Sequence, residues 1–323
     1  MKNFGKTIGY SVLNFFLKPL KKILSLRLLP HNMLNLKHRL FEFLGREPII
    51  VYTMGKVGSA TVFHAFHEQY FFPLTYHVHH LTSKAFQNAV KKYNESGLQI
   101  SDKINLTTLI KGNSSHMSAS QILMNPKVIN TRRNWNIITL VRDPFSTYLS
   151  HIFQNPQIRR PFLLDENGML NKEKVERHID EIFTKPHPEK DFISNWFDNE
   201  FYKFTGVDLY QYPFNPEKGY AIIHEKRFKI AVIALESLDK NLPLIFKEFT
   251  NSSEEISIEK KNIRTRDDKS GFYQELKNNI KVPRDGLEKF YSTKYARYFF
   301  TTEYREQMIN KWSGTRINDT KVI

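Results

Sequence analysis

The run Tyr52-Thr53-Met54-Gly55-Lys56-Val57-Gly58-Ser59-Ala60-Thr61 places two glycines, a lysine and several hydroxyls between an apolar stretch and a helical one. A helix N-terminus carries backbone N–H groups without internal partners, and its dipole favours an anion. Gly55 and Gly58 allow the backbone to approach a ligand closely. Lys56 adds a point charge, and Ser59 and Thr61 add hydroxyl donors. This is chemistry for a terminal phosphate or phosphosulfate. The run is not a Walker A loop. G-x-x-x-x-G-K-[ST] ending at Gly55-Lys56 needs Gly at position 50 and Ser or Thr at 57, where the chain has Ile50 and Val57. A nucleotide kinase or NTPase is thereby demoted. The plainer alternative is an ordinary strand-turn-helix with an exposed lysine.

A second stretch, Arg142-Asp143-Pro144-Phe145-Ser146-Thr147-Tyr148-Leu149-Ser150, has the composition of another phosphate grip. Arg142 follows a buried-strand pattern, and open α/β sheets bind ligands at that end of their strands. Ser150 falls about two turns into the helix that Pro144 opens. A guanidinium and a hydroxyl so placed hold one phosphate from two sides. A surface Arg–Asp pair beside a helix start is the plainer alternative.

These residues need a scaffold. Positions 48–53 are apolar, rich in β-branched residues and bounded by Pro and Gly, which predicts a buried strand. Ser59 opens a helix with Val62, Phe63 and Phe66 on one face. Further strands are expected over 74–81 and 136–141, with a helix to about Phe153 after the latter. Residues 83–135 read as mostly helical or looped. Helices are expected over 172–205, a strand pair or hairpin over 220–224 and 228–235, and helices again to about Trp312. Strands alternating with helices predict an α/β fold with a central, largely parallel sheet flanked by helices.

The two motifs together resemble the PAPS-dependent sulfotransferase superfamily, PAPS being 3′-phosphoadenosine-5′-phosphosulfate. The resemblance implies a P-loop-like sulfotransferase fold. It implies that Lys56, Val57, Gly58, Ser59, Ala60 and Thr61 hold the 5′-phosphosulfate, and that Arg142 and Ser150 hold the 3′-phosphate. Gly55 and Val57 depart from that family's usual Pro before the lysine and Ser or Gly after it. Leu235-Glu236-Ser237-Leu238 is similar to the E-D-L stretch that ends a late strand in these enzymes. Over about 48–312 the chain also resembles bacterial capsular polysaccharide synthesis proteins. That similarity includes Tyr76-His77-Val78-His79-His80-Leu81, Thr205-Gly206-Val207-Asp208-Leu209-Tyr210 and Phe214-Asn215-Pro216-Glu217-Lys218-Gly219-Tyr220.

Sulfuryl transfer to a hydroxyl or amine needs a base and a cation for the leaving phosphate. Lys56 suits the second role. His77-Val78-His79-His80 offers three histidines for the first. On a strand His77 and His79 share a face and His80 takes the other. His79, nearer the expected mouth of the site, is the expected base, with His77, His80 and His116 as alternatives. The H-x-H-H pattern also fits part of a zinc site, but no partner motif marks the rest of one, and no metal is expected.

The 323 residues carry a net charge of +15 and no cysteine, which excludes a disulfide framework and thiolate chemistry. Residues 1–46 hold nine basic residues against one acidic, and 260–316 hold fourteen against seven, while 47–259 balance at 24 of each. A neutral body argues against nucleic acid as partner. Three regions follow: a basic amphipathic N-terminal segment (1–46), the α/β domain (47–316) and a tail (317–323). The first has no uncharged run long enough to span a bilayer. It fits either an anionic membrane surface or the protein's own body. The expected protein is cytoplasmic, with 1–46 on the inner membrane face, PAPS as co-substrate and a carbohydrate acceptor. Arg264, Arg266 and Lys269 fit either a flap over the nucleotide or a solvated loop. Trp196, Tyr202, Tyr210 and Tyr212 fit an acceptor site or, more commonly, a core.

Overall fold

The computed structural model describes residues 47–69, 75–95, 115–129, 134–154, 156, 160–250, 256, 258 and 272–314. It is a mixed α/β structure around one five-stranded sheet of order β2-β1-β3-β5-β4. The strands are β1 (Ile49–Tyr52), β2 (Thr75–Val78), β3 (Trp135–Val141), β4 (Tyr220–Glu225) and β5 (Phe228–Ala234). The expected runs form these strands because their residues are apolar or β-branched on both faces. Every residue of β1, β2 and β3 is buried, the pattern of parallel strands covered on both sides. β4 is only partly buried and pairs antiparallel with β5 at the sheet edge.

The register sets where loops emerge. Val51 pairs with His77, Ile49 with Asn136, and Val141 with Ala234, all in parallel. The segments after β1, β2, β3 and β5 therefore leave the same edge of the sheet. The chain passes from β1 to β2 on one side and then to β3 on the other, so β1 lies at the reversal point where open α/β sheets bind ligands.

Helices flank the sheet: α1 (Ser59–Gln69), α2 (Ser83–Glu95), α3 (Ser115–Met124), α4 (Pro126–Ile129) and α5 (Pro144–Ile152) precede the hairpin, as do α6 (Lys172–Thr184), α7 (Pro188–Trp196) and α8 (Tyr202–Thr205). After it come α9 (Leu238–Thr250), α10 (Phe272–Asn279), α11 (Arg284–Tyr291), α12 (Lys294–Phe299) and α13 (Thr302–Trp312). Local chemistry starts several of them. Asp143 accepts from Ser146 N–H with Pro144 in the first turn of α5, and Asn171 accepts from Lys174 N–H at α6. A π-helical turn over Phe197–Phe201 joins α7 to α8. The core between the helices is aromatic: Phe145 lies 5.2 Å from Phe183 and 4.9 Å from Trp312, ring centre to ring centre.

The second strand ends at Val78 rather than 81, which places His79 and His80 just past its end. His116 lies on a helix, as its surroundings imply. The expected segment 1–46, the tail 317–323 and the basic trio Arg264, Arg266 and Lys269 lie outside the described residues. Among the described residues no helix is long and apolar enough to cross a membrane.

Candidate functional site

The turn between β1 and α1 is left-handed at three positions, with φ of +85° at Gly55, +58° at Lys56 and +85° at Gly58. Turns of this kind make concave rows of N–H groups that suit an anion. Gly58 is required by its φ, and a Cβ there would also press on Leu235 Cδ1, the end of a half-buried side chain that would have to shift. Lys56 adopts the same region although it has a Cβ, at a cost of about 1–2 kcal/mol. Val57 is fully buried, so position 57 contributes its backbone and core packing and no side-chain donor. Ser59 and Thr61 are buried against the loop, with Thr61 N–H bonded to Gly58 O at 3.1 Å.

Arg142 reaches this turn. Its Nη1 donates to the Lys56 carbonyl at 2.7 Å and to Ser150 Oγ at 2.9 Å. The two sequence motifs are thus one constellation, and these bonds use two of the five guanidinium donors.

A group of side chains from later in the chain holds that constellation in place. Tyr295 Oη accepts from Arg142 N–H at 3.0 Å and donates to Arg142 O at 2.8 Å. Tyr291 Oη donates to Asp143 Oδ2 at 2.6 Å, and Glu236 accepts from Asp143 N–H at 2.9 Å. On the other flank the carboxylate of Glu200, in the π turn, accepts from Tyr52 Oη (2.8 Å), Leu81 N (2.6 Å) and Thr82 N (3.0 Å). Burial holds the phenols of Tyr52, Tyr291 and Tyr295 above the usual tyrosine range.

The histidines gather beside the loop. Thr53 N–H bonds to Val78 O at 3.2 Å, which draws the end of β2 against the turn. His79 Nδ1 then lies 2.8 Å from Thr53 O. A carbonyl only accepts, so Nδ1 carries the proton and Nε2 the lone pair. His116, at the start of α3, donates from Nδ1 to His77 O at 3.1 Å in the same way. His77, His79 and His116 bring one donor atom each within 4.8 Å of one another. Burial, and then the neighbouring histidines, hold the imidazoles of His77 and His79 well below the usual range. Burial also lowers that of His116.

The structure thus brings together Lys56, Val57, Gly58, Ser59, Ala60, Thr61, Arg142, Ser150 and His79. It corrects the separation of His79 from His116: their rings lie 4.8 Å apart, so both alternatives for a base belong to one cluster. His80 stands off, with its ring 6.4 Å from that of His79. His116 joins His77 and His79, so three histidines come together among the described residues where the sequence marked no partner motif. Trp196 is core, packed edge-on against Tyr52, and Tyr212 bonds Glu225. Sequence reasoning missed Glu200, Tyr291 and Tyr295. No local signal marks a helical residue that reaches across the fold.

A family model described as "NKWYS: Putative capsular polysaccharide synthesis protein" matches residues 168–301. No curated protein and no solved structure matches the chain. The match is shorter than the expected 48–312 and leaves out the loop, the histidine trio, Arg142 and Ser150. It contains Glu200, Glu236, Tyr291 and Tyr295, the residues that brace them. The name of the matched family points to capsular polysaccharide synthesis.

Proposed function

We propose that this chain is a sulfotransferase of P-loop-like fold that moves a sulfuryl group from PAPS to a hydroxyl or amine of a bacterial capsular or surface polysaccharide. The observation that carries the reading is the contact of Arg142 with both the Lys56 carbonyl and Ser150. It joins a cation–hydroxyl pair to a left-handed anion loop across the reversal point of the sheet. When bound, PAPS supplies the activated sulfuryl group and a bisphosphate leaving group. Lys56 and the amides of the loop hold the 5′ end and meet the charge that builds on the leaving phosphate. Arg142 and Ser150 hold the 3′-phosphate. His79 takes the acceptor's proton at Nε2, because its Nδ1 proton is engaged by Thr53 O. The carbohydrate acceptor is supported by the name of the matched family. Residues 1–46, with their excess of basic residues, hold the protein on an anionic membrane surface in this reading.

Calorimetry with adenosine 3′,5′-bisphosphate, 5′-AMP and ATP–Mg²⁺ tests the donor. The bisphosphate should bind most tightly, and equal affinity for all three would remove the 3′-phosphate assignment. Single-turnover transfer from radiolabelled PAPS to a panel of bacterial glycans tests the reaction. Binding of the bisphosphate with no transfer to any glycan would mean a nucleotide-binding protein without this activity.

A further inference from the structure

We propose that His77, His79 and His116 bind one divalent transition-metal ion, zinc fitting the type of its ligands, with a fourth coordination position left open. This goes beyond the donor assignment and does not depend on it.

The first observation is geometric. The three ring centres are 4.1, 4.8 and 4.9 Å apart, and their donor atoms fall within 4.8 Å of one another. Metal–nitrogen bonds of roughly 2.0–2.1 Å at tetrahedral angles put neighbouring ligand rings about 5 Å apart. Ligand nitrogens of such a site stand roughly 3.3 Å apart, so donor atoms up to 4.8 Å apart must draw together by up to about 1.5 Å to close on an ion.

The second observation is the orientation of the rings. His79 and His116 each give the Nδ1 proton to a backbone carbonyl, Thr53 O and His77 O. Metal-bound histidines characteristically hand their other N–H to a carbonyl or carboxylate, which fixes the tautomer and aims the remaining lone pair at the metal. Both bonds are to main chain at the end of β1 and in β2, so the aim is set by the sheet itself.

The third is an orphan. His77 is 8% exposed, and its Nε2 is buried with no hydrogen-bond partner. Buried polar atoms are rarely left so, and each exception calls for a cause such as an ion. Phe63 stacks on the His77 ring at 5.5 Å and 23°, which holds its plane. Imidazole nitrogen suits zinc as it does copper, iron and nickel, and three protein ligands leave a fourth position for water or substrate. The Nδ1–Cε1 edge of His79 faces Gly55, where a Cβ would lie 3.7 Å from Cε1.

An Nε2 that holds the ion cannot also receive the acceptor's proton. An ion held by His77, His79 and His116 would supply for that role a water of lowered pKa.

The full chain is dialysed against a chelator and titrated with Zn²⁺ by calorimetry, and separately with Co²⁺ by visible spectroscopy. One ion per chain is expected, with a tetrahedral Co²⁺ band that zinc abolishes. His116→Ala and His77→Ala should each weaken zinc by more than the roughly 10–100-fold that loss of an outer-shell partner costs. His80→Ala should bind as the wild type does. Circular dichroism checks each fold, and His116→Asn serves if His77→Ala is unfolded. No stoichiometric zinc binding by the wild type, or binding unchanged in a folded His116 variant, overturns the site. Bisphosphate affinity measured on the same preparations shows separately whether the donor assignment stands.

Discussion

Arg142 donates to the main-chain carbonyl of Lys56, 2.7 Å away, and so fixes the turn after β1 by a side chain that leaves β3. The residue read from the sequence as a phosphate ligand is also a strut of the loop it works beside. Its replacement should therefore be felt at both ends of a bound nucleotide.

Arg142→Ala should lower affinity for adenosine 3′,5′-bisphosphate by about 1.5–3 kcal/mol, the range for hydrogen bonds to charged groups. Affinity for 5′-AMP should fall less. Ser150→Ala removes one neutral partner and should cost about 1 kcal/mol. Calorimetry on both variants with both nucleotides checks the difference.

Lys56 holds φ of +58°, a region glycine enters freely. Lys56→Gly should therefore leave the fold as stable as the wild type, or more stable by up to about 1–2 kcal/mol. If the proposed sulfuryl transfer holds, the same change should reduce turnover with PAPS far more than nucleotide affinity, since the role proposed for the lysine is at the transition state. Urea unfolding and single-turnover rates read the two effects apart.

Gly58→Ala meets both a left-handed backbone and Leu235 Cδ1 at 2.4 Å. Overpacking of this kind costs about 1–3 kcal/mol, and the backbone strain about 1–2 kcal/mol more. In Gly58→Ala/Leu235→Ala the steric part should vanish and the strain persist. A double-mutant cycle in urea should therefore show a favourable coupling between the two changes.

Glu200 should be among the least tolerant positions. Glu200→Ala strips acceptors from Tyr52 Oη and from the amides of Leu81 and Thr82. With roughly 1–3 kcal/mol for each buried donor left unmet, the loss should exceed about 3 kcal/mol. Glu200→Gln keeps an acceptor oxygen and should cost less. Denaturant midpoints at constant slope give the comparison.

Tyr52, Tyr291 and Tyr295 predict a loss of stability in alkali. Burial raises all three phenols above the ordinary value near 10. Below about pH 10 folded and unfolded chains both carry these protons and the contribution is constant. Above it the unfolded chain ionises and the folded one does not, so stability falls as pH rises, by about 1.4 kcal/mol per pH unit for each tyrosine. Tyr295→Phe should make stability fall less steeply with pH, by a fraction of a proton that grows from near zero at about pH 9 toward one at about pH 11. An unchanged slope would mean that this phenol ionises in the folded state.

The strands were legible because β1, β3 and β5 are apolar or β-branched runs bounded by Gly, Pro and charged residues, and burial on both faces demands that composition. The starts of α1 and α5 were legible from Ser59 and from Asp143-Pro144, whose capping chemistry is local. The pairing of Arg142 with Ser150 followed from helical spacing, since eight residues place the hydroxyl two turns along. The contact of Arg142 with Lys56 did not, because it depends on β1 and β3 being neighbours in the sheet. His116 was read as a rival to His79 rather than its companion for the same reason. They meet only through the packing of α3 on β2. Glu200 sits in a π turn, whose altered phase helical periodicity does not announce.

The bracing bonds also bear on how the protein comes into being. Tyr295 meets Arg142 across 153 residues of chain, Tyr291 meets Asp143 across 148, and Glu200 meets Tyr52 across 148. Contacts of such long range are the slow ones to form, since the intervening chain must close before they reward it. During synthesis the loop, the histidines and Arg142 all leave the ribosome well before their supports, while β3 waits for β5 to cover its open side. A nascent chain halted before Tyr291 would carry each of these reactive side chains and still lack a finished site. The bracing of the site should therefore be completed last, and any ligand binding there should lag behind the appearance of secondary structure when the protein refolds.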